Sequence, residues 1–381
     1  MKKIISLLLA LCLLLSACGT RTPDSKADTT PAENTSEAAS AASTAAESTT
    51  PETTEPETTA PESTAPESTV QAASEAVERT KVNFGLLAGP TGMGAAKLLA
   101  DNEAGSSANE YVPTLFNAPT DAAPKLISGE LDIAAVPTNL AAVLYQKTNG
   151  AVNLLALNTL GVLYLLTAPG EIVASVEDLK GKTVYSSGQA AVPEYVLSYI
   201  LDAYGLKDEV EVVYEAEHDA VIAAVASGKA KIAVLPEPKV TAALSKVEGL
   251  SIALDLTEEW NKAVEKRGQS DCTLSMGCVV VRKAFAEEHP EAVAAFLKEY
   301  EASIQYMSDP ANADDAAALC ERFTIIPKAA VAKKALPNSK LCFVTGEEMK
   351  TQIAPFYQIL FDFDPAAVGG KLPDDAFYFA K

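Results

Sequence analysis

The sequence predicts an α/β fold of two like lobes, each a mixed sheet flanked by helices, joined by two crossing strands. Three observations carry this. First, Ser128-Gly129-Glu130-Leu131-Asp132-Ile133-Ala134-Ala135-Val136-Pro137 reads as a helix end, a glycine stop, a short buried strand and a proline that ends it. Second, the chain later reads Ser227-Gly228-Lys229-Ala230-Lys231-Ile232-Ala233-Val234-Leu235-Pro236, with Gly, Ile, Ala and Pro in the same register. Third, two long apolar runs each hold a glycine, Gly161 in residues 158–167 and Gly277 in residues 272–282. A repeated unit implies two lobes, and a long strand with a central glycine suits a crossing between them. In open sheets the loops past the carboxyl ends of strands line a ligand crevice. Two such ends facing each other make a clamp that opens and closes about Gly161 and Gly277.

Residues 1–17 stand apart from this fold. Lys2 and Lys3 precede an apolar run over 4–15 that is too short to span a bilayer, so the segment reads as a signal peptide. Leu15-Ser16-Ala17-Cys18 is similar to a bacterial lipobox. Cleavage before Cys18 and lipidation of its sulfur would hold the protein on the extracytoplasmic face of the cell membrane. An ordinary secretory signal with a chance cysteine is the alternative. Residues 18–80 form a linker that is nearly all Thr, Ser, Pro, Glu and Ala, without aromatic residues, in which Ala60-Pro61-Glu62-Ser63-Thr64 repeats directly. Such a composition buries too little apolar surface to fold. About 60 residues of coil would reach on the order of 45 Å.

The net charge is −21. That argues against nucleic acid as a partner, because phosphates need basic patches. It does not exclude an anionic ligand, which backbone amides can bind locally.

The first lobe takes residues 81–165 and 274–381, and the second takes 166–273. Val82-Asn83-Phe84-Gly85-Leu86-Leu87 is the first strand. It leads into the loop Gly89-Pro90-Thr91-Gly92-Met93-Gly94 and a helix, an arrangement in which N–H groups converge on an anion. A plain tight turn is the competing reading. Residues 111–116 are a strand and 121–128 a helix; after Pro137, Thr138 or Asn139 caps the next helix. The second lobe repeats the plan. Residues 175–182 form a short helix and turn, 183–185 a strand, Ser186-Ser187-Gly188-Gln189 a loop and 190–204 a helix. A strand over 210–214 precedes a helix capped by His218-Asp219, a strand covers 251–254, and a capped helix covers 257–266. Helices over 290–307, 313–323 and 345–361 then pack back on the first lobe.

Taken together, the lipobox, the Gly-Pro-Thr-Gly loop, Gly129-Glu130-Leu131-Asp132-Ile133-Ala134-Ala135-Val136-Pro137, Val176-Glu177-Asp178-Leu179-Lys180-Gly181-Lys182-Thr183-Val184 and Met276-Gly277-Cys278-Val279-Val280-Val281-Arg282-Lys283 resemble the substrate-binding proteins of ABC importers. The nearest branch is the nitrate, taurine and alkanesulfonate (NitT/TauT) type together with the thiamine-precursor type. The resemblance implies a two-lobe, type II-like periplasmic-binding-protein fold with a small molecule between the lobes. It implies a permease and ATPase as partners, no enzymatic activity, no cofactor or metal, and a monomer. By the same resemblance Gly89, Pro90, Thr91, Gly92, Met93, Pro137, Thr138, Asn139, Leu160, Gly161, Ser187, Gly188, Gln189, Ser275 and Met276 face the ligand, with His218 and Glu237 as further candidates. The chain departs from the sulfonate binders in lacking an arginine placed for an oxyanion. A nitrate, a sulfonate or an aminopyrimidine vitamin precursor all remain open as ligands. Gly92 and Gly188 are expected to let backbone approach the ligand, so that Gly92→Val abolishes binding and leaves the lobe folded.

Other residues leave their roles open. His218 is either a ligand contact or a helix cap. Trp260, the only tryptophan, either caps the ligand by stacking or packs between the lobes. Cys272 and Cys278 on one strand would lie about 20 Å apart at ~3.3 Å per residue, too far to bond. Cys320 and Cys342 could pair or stay reduced. An enzyme of the same fold, of the pyrimidine-precursor or menaquinone-route type, and a surface lipoprotein without a transport role are the competing functions. No nucleophile and base with recognisable spacing supports the first, and a clamp has no evident use in the second.

Overall fold

A computed structural model describes residues 79–380 apart from 190, 270 and 271. They fall in one compact unit, Ser74–Lys381. The signal peptide, Cys18 and nearly all of the linker lie outside the described residues.

The chain forms β1 (Lys81–Leu87), α1 (Pro90–Met93), α2 (Ala96–Glu103), β2 (Glu110–Phe116), α3 (Pro119–Ser128), β3 (Ile133–Pro137), α4 (Thr138–Lys147) and β4 (Val152–Leu160). It then enters a second sheet with β5 (Leu163–Thr167), β6 (Thr183–Ser187), α5 (Val192–Ala203), β7 (Glu211–Glu215), α6 (His218–Ala226), β8 (Ile232–Pro236), α7 (Lys239–Lys246), β9 (Ser251–Asp255) and α8 (Leu256–Lys266). It returns through β10 (Ser275–Arg282), α9 (Lys283–Glu288), α10 (Pro290–Ser308), α11 (Ala313–Arg322), α12 (Ala329–Ala335), β11 (Leu341–Val344) and α13 (Gly346–Phe363).

The strand orders are β11-β4-β10-β3-β1-β2 and β7-β6-β8-β5-β9. Read from the other edge, the second sheet matches five strands of the first in order and direction. β3 corresponds to β8, each with one parallel neighbour (β1, β6) and one antiparallel neighbour (β10, β5). The repeated motif is therefore the centre of each sheet. Gly129 and Gly228 enter it with φ of 83° and 75°, backbone that suits glycine at a helix end.

Both sheets are mixed for one reason. The chain leaves the first sheet at the carboxyl end of β4, so β5 enters the second at the same end and runs against β8. β10 does the same against β3 on the way back. The first passage is Gly161-Val162, where the long apolar run breaks into two strands belonging to different sheets. Its glycine is required by contact. A Cβ there would stand 2.1 Å from Thr257 Oγ1 and 2.9 Å from Leu274 Cδ2. The second passage ends before Ser275. Gly277 lies inside β10, paired with Pro137 and Thr159, so it is not the pivot expected of it.

Asp132 ties the first sheet together. Its carboxylate accepts from Arg282 Nη2 at 2.7 Å and from Asn83 N and Nδ2 at 2.9 and 2.8 Å. α13 does more than pack on the first lobe, since it also touches α5. Trp260 of α8 completes that junction. It is fully buried between Tyr199 of α5, 4.6 Å between ring centroids, and Phe356 of α13, 5.5 Å away. Its Nε1–H donates to Cys272 O at 3.3 Å. Packing between lobes, not ligand capping, is its role. All of Cys272, Cys278, Cys320 and Cys342 are free thiols, so Cys320 and Cys342 do not pair, and burial pushes each pKa upward.

Candidate functional site

Polar side chains collect where the two sheets end toward each other. In the first lobe the group is built on β3, β4 and the start of β10. Thr138 Oγ1 and Ser275 Oγ lie 3.1 Å apart, and Ser275 Oγ also donates to Thr159 O at 3.3 Å. Thr138 therefore spends its hydroxyl on β10 instead of capping α4. Its carbonyl accepts from Tyr357 Oη at 2.9 Å. Asn158 Nδ2 donates to Thr91 O at 3.0 Å and to Tyr300 Oη at 2.9 Å. Gly277 makes this possible, because a Cβ would stand 2.6 Å from Asn158 Oδ1 and 2.9 Å from Thr91 Oγ1. The strand needs a glycine there for polar packing rather than for bending. Asn139 differs from its neighbours. It is 9% exposed, its amide makes no hydrogen bond among the described residues, and neither amide atom is sealed from solvent.

In the second lobe the group follows β6 and β8. Ser187 Oγ and His218 Nδ1 are hydrogen-bonded. His218 is the first residue of α6 and gives it no side-chain cap. Burial, then the nearby Lys239 charge, lower its pKa to about 4, against a smaller upward pull from Asp219. The ring is therefore neutral near pH 7. Gly188 adopts φ 80°, which lets the loop turn toward Pro193. Gln189 is exposed at its tip. Glu237 is 1% exposed and accepts from Thr241 N at 3.1 Å and Thr241 Oγ1 at 3.0 Å. Burial raises its pKa, partly offset by those bonds and by Asn338. Glu237 N donates to Val162 O at 3.0 Å, beside the first passage.

The His218 shift predicts a pH dependence. Its folded pKa is below the unfolded value near 6.5, so the unfolded chain takes the proton first. The neutral ring's contribution is whole above pH 6.5 and is lost as pH falls toward 4. His218→Asn should flatten that part of a stability-versus-pH curve measured by urea unfolding. An unchanged slope between pH 6.5 and 4 would count against this assignment.

The expected ligand residues divide in the structure. Thr91, Pro137, Thr138, Asn139, Leu160, Ser275 and Met276 gather at one sheet end, since Ser275 pairs with Leu160 and Gly277 with Pro137. Ser187, Gly188, Gln189, His218 and Glu237 gather at the other. Gly89, with φ 105°, comes close to the second lobe, a Cβ on it standing 3.9 Å from Pro238 Cδ. Pro90 opens α1. Met93 does not join them. It is fully buried in a core cluster with Met307, Cys320 and Ile325. Gly92 is also a packing residue, because a Cβ would stand 2.2 Å from Leu87 O. Leu160 also lines a cavity of about 460 Å³ beside the passages, with Thr257, Asn261, Cys272 and Leu274. Thr257 Oγ1, packed against Gly161, has no hydrogen-bond partner among the described residues.

Sequence reasoning missed Asn158, Tyr164 and Asn338. Asn158 left a signal, a polar residue inside an apolar strand. Tyr164 reads as one more apolar strand residue, yet its Oη donates to Asn338 O at 3.4 Å. Burial, then Asp255, Glu237 and Glu258, raise its pKa. Asn338 stands in a Pro-Asn-Ser turn, which signals only a turn.

Residues 115–326, more than half of the chain, match the family described as ABC transporter, phosphonate, periplasmic substrate-binding protein. The chain belongs to that family. It is a periplasmic substrate-binding component of ABC transporters, and its family is one of binding proteins, not enzymes. Among solved structures, an ABC transporter from Parabacteroides distasonis superposes with a TM-score of 0.66 at 24% identity, covering 79% of this chain and 99% of that one. The periplasmic aliphatic sulphonate binding protein SsuA from Escherichia coli gives 0.62 at 16% identity, over 79% and 92%. The periplasmic nitrate-binding protein NrtA from Synechocystis gives 0.51 at 13% identity, over 71% and 75%. At these identities the likeness is one of fold. No curated protein matches the chain. Among the described residues no helix is long and apolar enough to cross a membrane.

Proposed function

We propose that this protein captures one small polar molecule between its lobes and hands it to an ABC permease, acting as a monomer tethered through a lipid on Cys18. The moving lobes are residues 81–161 with 274–381, and 162–273, the first boundary falling at Gly161-Val162 instead of the expected 165 because all of β5 pairs in the second sheet, and the ligand contacts both, as closure by a ligand requires. The observation that carries this is the pair of polar groups at the ends of the two matched sheets. Asn139, Ser187, Gln189 and His218 offer neutral donors and acceptors there. Neutral donors suit a nitrate-like anion, a sulfonate or a neutral aminopyrimidine. None of these four side chains carries a positive charge near pH 7, which a doubly charged phosphonate would call for.

Thermal melts with millimolar nitrate, taurine, ethanesulfonate, methylphosphonate and an aminopyrimidine alcohol test the reading. A ligand at 100 times its Kd adds about 2.7 kcal/mol of stability. At least one singly charged or neutral compound should raise Tm. A response to methylphosphonate alone would contradict the assigned class, and no response to any would contradict capture of such ligands. For the tether, Cys18→Ser should release the protein from the membrane fraction or leave its signal uncleaved. Unchanged fractionation of a lipid-free protein would overturn the lipid anchor.

A further inference from the structure

We propose that the cavity beside the two passages is a second binding site, which takes a small organic cation with an apolar body, of the alkylammonium class. It encloses about 460 Å³, within the usual range for a small-molecule site. Both lobes line it. Leu160 and Leu274 come from the first, where β4 ends and β10 is about to begin. Thr257, Asn261, Val264 and Glu265 come from α8 of the second. Apart from Leu160, the cavity shares no residue with the polar groups at the sheet ends. α8 follows β9, the outermost strand of its sheet, whereas that lobe's polar group stands on β6 and β8, across β5.

The wall has a simple cause. Thr257, Asn261 and Glu265 recur every fourth residue, so they stack on one face of α8. Leu160, Val264 and Leu274 supply apolar surface beside them. The Asn261 amide and the Glu265 carboxylate make no hydrogen bond or ion pair among the described residues. No lysine or arginine among the described residues lines the cavity.

The nearby cations are engaged elsewhere. Lys262 Nζ donates to Glu259 Oε1 at 2.8 Å, Lys266 Nζ stands 4.7 Å over the Tyr204 ring, and Arg267 pairs with Asp202. Glu265 is left as the one charge on the lining, which favours a cationic head and repels a carboxylate. An exposed ion pair adds little affinity. The apolar body therefore supplies most of the binding, by burial, and the head supplies the choice. Because both lobes line the cavity, its occupancy is coupled to their movement; that consequence rests on the reading above, and the site itself does not.

The test is calorimetric titration of the full chain with octylammonium, octanol and octanoate, below the concentrations at which they form micelles. Octylammonium should bind about tenfold more tightly than octanoate, as one exposed carboxylate that attracts one head and repels the other would give. Glu265→Gln should remove that preference and leave octanol binding unchanged. Asn261→Trp places a ring in the cavity from an exposed position and should abolish binding of all three. Circular dichroism shows that each variant is folded. If Asn261→Trp does not fold, Glu265→Gln decides alone. Equal affinity for octylammonium and octanoate, or undiminished binding in folded Asn261→Trp, would overturn the site. Loss of octylammonium binding from the double variant Asn139→Ala, Ser187→Ala would place the cation between the polar groups and overturn it too. Failure of every compound in the melts would count against ligand capture and leave this result standing.

Discussion

Trp260→Ala should cost about 4 kcal/mol of stability, in the range for removing a large buried aromatic side chain. The indole is fully buried, contacts Tyr199 and Phe356 on two other helices, and donates to Cys272 O. Deleting it leaves a cavity where α5, α8 and α13 meet, and orphans no charged group. Because α13 also packs on β4, the loss loosens the lobes' junction as well as the second lobe. Urea unfolding read by circular dichroism gives the value. A midpoint within error of the parent would show that the junction carries little of the stability.

Gly92→Val should cost about 3 kcal/mol, the upper part of the usual range for overpacking. The new Cβ would stand 2.2 Å from the carbonyl oxygen of Leu87, a backbone atom that cannot swing aside. Either β1 or α1 must shift. Binding would then fall along with folding, so this variant does not isolate a ligand contact. The same unfolding assay decides. A variant as stable as the parent, with binding alone lost, would restore Gly92 as a residue that lets the ligand approach backbone.

These two residues also show what could be read ahead of the structure. The repeated Gly-to-Pro motif carried the fold, because a glycine stop, a short apolar run and a proline are local signals of a buried parallel strand. Gly161 was legible as a passage, since it interrupts an apolar run too long for one strand. Gly277 looked the same in sequence, yet its cause is a close approach of Thr91 and Asn158. Both glycines satisfy a contact made by residues far along the chain, which periodicity does not report. Met93 and Gly92 lie in a loop with the right composition for an anion, but the α1 turn faces core residues such as Ile325. Asn338 signalled only a turn. It precedes β11, a strand the sequence did not reveal, and its carbonyl meets Tyr164 Oη of the second sheet.

The central claim is capture of one small polar molecule by both polar groups together. Native mass spectrometry of the full chain tests it most directly, first as purified and then with millimolar nitrate, taurine, ethanesulfonate and an aminopyrimidine alcohol. The account predicts one such molecule per chain, and its loss from the double variant Asn139→Ala, Ser187→Ala, which circular dichroism should find folded. A co-purified peptide or oligosaccharide, or undiminished binding in the folded double variant, would contradict it.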